Sequence, residues 1–192
     1  MQELDKIRFI LKLKEVNRFS QVGNRNESSA EHSWSCILLA EYFLKKTKLE
    51  INELQVLKLL AYHDMVEIIS GDIHILERDN RKIPEAEGAK ILKTKLPDAI
   101  KDEYYNLFIE FEAEKTIEAK FAKAIDKLES VLHMMDYKEN WKKENWTEKM
   151  LRDHKEKYLE SIPEIHSFFN ELIEYLKKED YLKKENIENE KL

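Results

Sequence analysis

Three glycines and three prolines are all that 192 residues have to turn with, and this scarcity constrains the fold more than any other feature. A chain so poor in turn-makers and rich in Leu, Lys, Glu, Ile and Ala favours helices joined by short connections. With 42% of its residues apolar it can build one sizeable core. The composition predicts an all-α fold.

Apolar positions recur at helical spacing from residue 3 to about 15 (Leu4, Ile7, Ile10, Leu11, Leu13). The polar stretch NRFSQVGNRNESS then loses the period and predicts a long loop. Ser28 and Glu31 have capping-box spacing, which starts a helix just before His32 and carries it to about Lys46. Asn52 caps a third helix through ELQVLKLLAYHDMVEII, and Gly71 stops it. DIHILERDNRK reads as a loop, Pro84 and Pro97 open helices to about Lys95 and Glu112, and TIEAKFAKAIDKLESVLHMMDY is one long periodic helix. One or two further helices occupy residues 147–178. No linker or repeat divides the chain, so residues 1–178 read as one domain and the charged residues 179–192 as a solvated or frayed extension.

The 33 basic residues are interspersed among 39 acidic ones, for a net charge of -6, and this excludes a phosphate-backbone track for long nucleic acid. Cys36 is the sole cysteine and sits in an apolar helical stripe, as expected of a core residue in the reducing cytoplasm. No apolar run reaches the roughly 20 residues of a membrane span, and the N-terminus lacks a signal peptide's apolar stretch, so a cytoplasmic protein is expected.

Polar residues interrupt the core stripes at a few places. Val56, Leu60, His63 and Glu67 follow i, i+4, i+7, i+11, and His32, Cys36, Leu39 and Phe43 form a similar line, so two imidazoles and a carboxylate aim at the core. Asp126 shares a row with Ala119, Ala122 and Glu129. Buried carboxylates are costly in isolation, whereas histidines with carboxylates are a usual ligand set for divalent metals. Each residue alone has an ordinary explanation: a hydrogen-bonded core histidine, an Asp126 paired with Lys123 or Lys127, an Asp72 in a turn after Gly71, a surface Arg18.

The combination is more specific. His32, then the adjacent His63 and Asp64, then Asp126 resembles the H…HD…D signature of the HD-domain metal phosphohydrolases. NRFSQVGNRNESSAEHS, HDMVEIISGDI, IPEAEGAKIL and KAIDKLES are similar to segments of the HD-domain 5'-deoxynucleotidases, over roughly residues 5–140. The resemblance implies a single HD-domain helical bundle with a metal site between core helices. It implies that His32, His63, Asp64 and Asp126 hold one divalent ion (manganese, cobalt, magnesium or zinc), and that Arg18 contacts substrate phosphate. Glu67 and Asp72 match the family's acids for water activation and proton transfer, or could bind a second ion. Phe19 stands where the bacterial pattern has tryptophan, which leaves deoxyribose selectivity open.

The implied substrate is a nucleoside 5'-monophosphate, and the implied assembly a homodimer. The aromatic segment MMDYKENWKKENW offers either surface for the dimer or the end of the monomer's core. The alternatives are another HD-type phosphohydrolase acting on a phosphodiester or signalling nucleotide, and a non-catalytic helical interaction module. A two-iron oxygenase needs extra histidines, of which the HD segment offers only His74.

Overall fold

The computed structural model describes residues 2–72 and 83–184. Most of the loop expected over 72–82, with His74, and the last eight residues of the expected extension lie outside the described residues.

The architecture is helical, as the shortage of turn residues requires. Helix α1 (Glu3–Ile10) runs into a 3-10 turn (Leu11–Glu15), and a hairpin of β1 (Asn17–Val22) and β2 (Arg25–Ser28) leads into α2 (Ser29–Leu44). Then come α3 (Glu53–Tyr62), a 3-10 turn (His63–Val66), α4 (Glu67–Ser70), α5 (Glu85–Lys95), α6 (Lys101–Ala113), α7 (Ile117–Met134), α8 (Lys138–Lys143), α9 (Glu148–Leu159) and α10 (Pro163–Lys178).

The hairpin replaces part of the loop expected over residues 17–29. Its strands pair antiparallel, with Gln21 opposite Asn26 and Gly23 at φ 61 in the turn. Burial alternates along β1, but the residues facing inward are Arg18, Ser20 and Val22, so no apolar alternation announces a strand. The third helix also departs from expectation. It gives way at His63 to a 3-10 turn, where His63 Nδ1 lies 2.8 Å from the Leu60 carbonyl.

The core is centred on α2, α3 and α7. Val56 and Leu60 of α3 meet Cys36 and Ala40 of α2 and Ala119 and Ala122 of α7, all fully buried. The small residues of α7 let the three helices approach closely enough to bring their polar residues together. A second apolar cluster, with Leu92, Leu96, Tyr104 and Phe108, backs Met65 and Val66 and so fixes the turn that carries His63.

Trp141 and Trp146 are buried, with indole N–H groups bonded to the Met134 carbonyl and to Glu144. The aromatic segment therefore finishes the monomer's core. The large exposed apolar residues include Trp34, Leu38 and Tyr42 along α2, and Leu4, Ile7 and Leu11 at the N-terminus. Past α10, Glu179 and Asp180 are exposed, while Leu182 is buried and the Lys183 amide donates to the Trp146 carbonyl. Among the described residues no helix is long and apolar enough to cross a membrane.

Candidate functional site

A capping box fixes where α2 begins. The Ser28 hydroxyl accepts from the Glu31 amide while the Glu31 carboxylate accepts from the Ser28 amide. His32 therefore falls in the first turn, fully buried. His63 and Asp64 open the 3-10 turn beyond α3, Glu67 opens α4, and Asp126 projects from the middle of α7.

These elements bring both histidines to both aspartates. His32 Nε2 lies 3.2 Å from Asp126 Oδ1 and 4.0 Å from Asp64 Oδ2. His63 Nε2 lies 3.2 Å from Asp64 Oδ1 and 4.0 Å from Asp126 Oδ1. Each ring's other nitrogen is committed behind it, Nδ1 of His32 to Glu129 at 2.6 Å and Nδ1 of His63 to the Leu60 carbonyl. Both partners are acceptors, so both Nδ1 atoms carry a proton; the Nε2 lone pair of His63 faces the carboxylates, and that of His32 does so once the ring gives up its second proton. His63 Nε2 is buried with no hydrogen-bond partner.

With both rings neutral, four acceptors face one another, an arrangement that calls for a cation. Two imidazoles and two carboxylates form a donor set for a hard-to-borderline divalent metal, and the Glu129–His32 contact is the backing that orients a histidine ligand. The residues fit one divalent ion.

Cys36 Sγ also lies nearby, 3.5 Å from His32 Nε2 and within 4.8 Å of a His63 ring nitrogen. Burial pushes its thiol up to about 12, so at neutral pH the carboxylates are the available anionic donors. Burial lowers the His63 imidazole's affinity for protons and keeps it neutral. Burial acts to raise the Asp126 carboxyl, but Lys127, at 2.7 Å, and the hydrogen bond with His32 hold it well below the usual range.

The other expected residues surround this centre in a cavity of about 710 Å³ lined by Arg18, Phe19, Asp64, Glu67, Asp72 and Asp126 among others. Arg18 Nη1 lies 3.2 Å from Asp64 Oδ2. Burial works against its charge, and Asp64, Asp72 and Glu67 hold it cationic. Glu67 accepts a 2.5 Å hydrogen bond from the Ser29 hydroxyl, and its carboxyl is raised by burial and then by the charges of Asp64 and Asp72. Asp72 accepts from the Phe19 amide at 3.2 Å, tying the residue after Gly71 to β1, while the Phe19 ring is 55% exposed at the cavity wall.

Three partners escaped sequence reasoning. Glu129 was visible only as the residue three places after Asp126 in a helical row, Ser29 reads as an ordinary helix start, and Glu27 carries no local signal.

Fold and site together define a helical-bundle protein built around a histidine–aspartate centre for a divalent metal. A family model described as HD domain matches residues 10–166, and the chain belongs to this family. It is 30% identical over 139 residues to the human 5'-deoxynucleotidase HDDC2, an alignment covering 69% of this chain and 67% of that protein. It is 32% identical over 116 residues to the Xenopus laevis protein of the same name, covering 59% of this chain and 56% of the relative. The chain thus spans between about half and two thirds of the length of these relatives. A solved structure, the predicted metal-dependent phosphohydrolase of Magnetospirillum magnetotacticum MS-1, superposes with a TM-score of 0.79 at 28% identity, over 94% of this chain and 96% of that one.

Proposed function

We propose that the chain is a metal-dependent phosphomonoesterase that hydrolyses nucleoside 5'-monophosphates, deoxynucleotides among them, to nucleoside and phosphate. The observation that carries this reading is the meeting of Arg18 with the metal-ligand set: a half-buried guanidinium 3.2 Å from Asp64, in the cavity that Glu67 and Asp72 also line. A cationic fork beside a dication site suits a phosphate dianion, and the named activity of the human and frog relatives supports a nucleotide as its bearer.

His32, His63, Asp64 and Asp126 would hold the ion. When bound, it supplies positive charge for the phosphoryl oxygens and makes water more acidic. Arg18 binds phosphate oxygens through its planar donors and offsets the charge that grows on them in the transition state. Glu67 takes the proton from the attacking water: its carboxyl lies in the same cavity, is oriented by Ser29, and is poised upward by burial. Asp72 orients the strand that carries Arg18 and Phe19, and assists proton transfer to the leaving 5'-oxygen. The Phe19 ring packs beside the sugar and, being smaller than indole, leaves more room at the 2' position.

The chain works in the cytoplasm as a homodimer, with a second copy covering the exposed Trp34, Leu38 and Tyr42 of α2. The experiment that tests the activity is phosphate release from 5'- and 3'-mononucleotides, ribo and deoxy, by chelator-stripped protein resupplied with manganese, cobalt, magnesium or zinc. Metal-dependent release confined to 5'-monophosphates is expected. No release with any metal from protein that binds one would defeat the substrate assignment.

A further inference from the structure

Behind the metal ligands lies a second layer of charge that the proposed hydrolysis does not use. Glu27 on β2 and Glu129 on α7 are 2% and 5% exposed. Each backs a different group facing the cavity: Glu129 Oε2 lies 2.6 Å from His32 Nδ1, and Glu27 Oε2 lies 3.3 Å from Arg18 Nε. The second contact is an ion pair without the alignment of a hydrogen bond, and both of its atoms are sealed from water with no hydrogen-bond partner. Burial and the charge of Glu129 raise the Glu27 carboxyl, while His133 and Arg18 oppose that.

His133, near the end of α7, closes the layer. Its Nε2 donates to the Gln21 carbonyl at 2.8 Å, and its Nδ1 lies 3.4 Å from Glu27 Oε1. The hairpin that carries Arg18 is thereby tied to the helix that carries Asp126.

A guanidinium presents donors on its Nε edge and on its Nη groups, all in one plane. Here Glu27 stands at the Nε edge and Asp64 at Nη1. A cation shared by Asp64 would weaken that carboxylate's hold on Nη1, while Glu27 keeps its own contact at Nε, away from the metal ligands. We infer that Glu27 is a positioning residue: it grips Arg18 from behind at Nε, so that the Nη groups are free to turn from Asp64 to the oxygens of a bound phosphate. The inference rests on the reading of Arg18 as the phosphate-binding residue.

The test is calorimetric binding of inorganic phosphate to the manganese-loaded full chain, in wild type, Glu27→Gln, Arg18→Lys and the double variant, with thermal melting of each. Lysine keeps the charge but lacks the Nε that Glu27 grips. Glu27→Gln is expected to weaken phosphate binding about tenfold, and Arg18→Lys by a similar factor. The double variant should be no weaker than Arg18→Lys alone, since residues acting through one group do not add. Manganese affinity should stay within about twofold of wild type in Glu27→Gln, because Glu27 does not touch His32, and nucleotide kcat/KM should fall, because Arg18 serves both the bound phosphate and the transition state.

Wild-type phosphate affinity in Glu27→Gln overturns the inference, as does an equal loss from Glu27→Gln on the lysine background. Undiminished phosphate binding in Arg18→Lys overturns it together with the reading of Arg18. Wild type that binds phosphate but hydrolyses no nucleotide overturns only the proposed substrate, and the variant series still decides on Glu27. If Glu27→Gln does not fold, Glu27→Asp, shorter by one methylene, takes its place with the same expected pattern.

Discussion

His63 Nε2 and Asp64 Oδ1 face each other at 3.2 Å, with Nδ1 of the same ring already committed to the Leu60 carbonyl. Two acceptors held at that distance repel unless a cation lies between them, so the site is under tension that metal relieves. The manganese-loaded chain should melt roughly 5 to 10 °C above chelator-stripped protein once the ion is at about 100 times its Kd. His63→Ala and Asp64→Ala should abolish both the shift and phosphate release. Scanning calorimetry with chelator and with added manganese measures this, and a full shift retained in His63→Ala would remove His63 from the ligand set.

Glu67 separates binding from turnover. It lines the cavity, and its carboxylate is oriented by the Ser29 hydroxyl, so its removal leaves His32, His63, Asp64 and Asp126 intact. Glu67→Ala should keep most of the manganese-induced thermal shift while phosphate release falls by roughly 10²- to 10⁴-fold. The assay pairs a melting curve with steady-state rates. Near-wild-type turnover in Glu67→Ala would transfer the proton role to another group, with Asp72, which lines the same cavity, the next candidate.

Metal affinity should rise with pH. Burial lowers the proton affinity of His32, but its hydrogen bond with Asp126 more than offsets this and leaves it well above the ordinary value. A histidine raised on folding stabilises the metal-free fold below its unfolded value, about 6.5, and that contribution is lost as pH climbs through the raised folded value. The ion needs the neutral ring and displaces that proton. The manganese-induced rise in melting temperature should therefore be larger at pH 8 than at pH 6, with proton release on loading visible in buffers of different ionisation heat. A shift independent of pH between those values would show that His32 does not ligate.

Much of this site was legible because it breaks helical rules. His63 and Glu67 sat on a stripe of otherwise apolar residues, and Ser28 with Glu31 announced the start of α2, so the inward placement of both histidines followed from period and capping alone. The hairpin was not legible, since the half-buried face of β1 is carried by Arg18 and Ser20 rather than by apolar residues. Nor was the 3-10 turn at His63, which no glycine or proline marks and which a side-chain contact to Leu60 accompanies. Glu27 escaped because its partners come from β1 and from α7, over a hundred residues apart, and only the tertiary fold brings them together.

The last prediction concerns the outer face of α2. His32, Cys36, Ala40 and Phe43 turn inward and are buried, while Trp34, Leu38 and Tyr42, four residues apart in sequence, are 61%, 54% and 48% exposed. Three large apolar side chains aligned on one helix are more than the isolated exposed residue that a monomer normally tolerates, and a second copy of the same face would cover them in a self-complementary contact. Light scattering after size exclusion should give the mass of a dimer for wild type. Trp34→Glu with Leu38→Glu should give the monomer, since each introduced charge would be buried unpaired in the interface. Because these side chains point away from His32, the manganese-induced thermal shift should survive in the double variant. A monomeric wild type at micromolar concentration would discard the dimer, and a dimeric double variant would move the interface off α2.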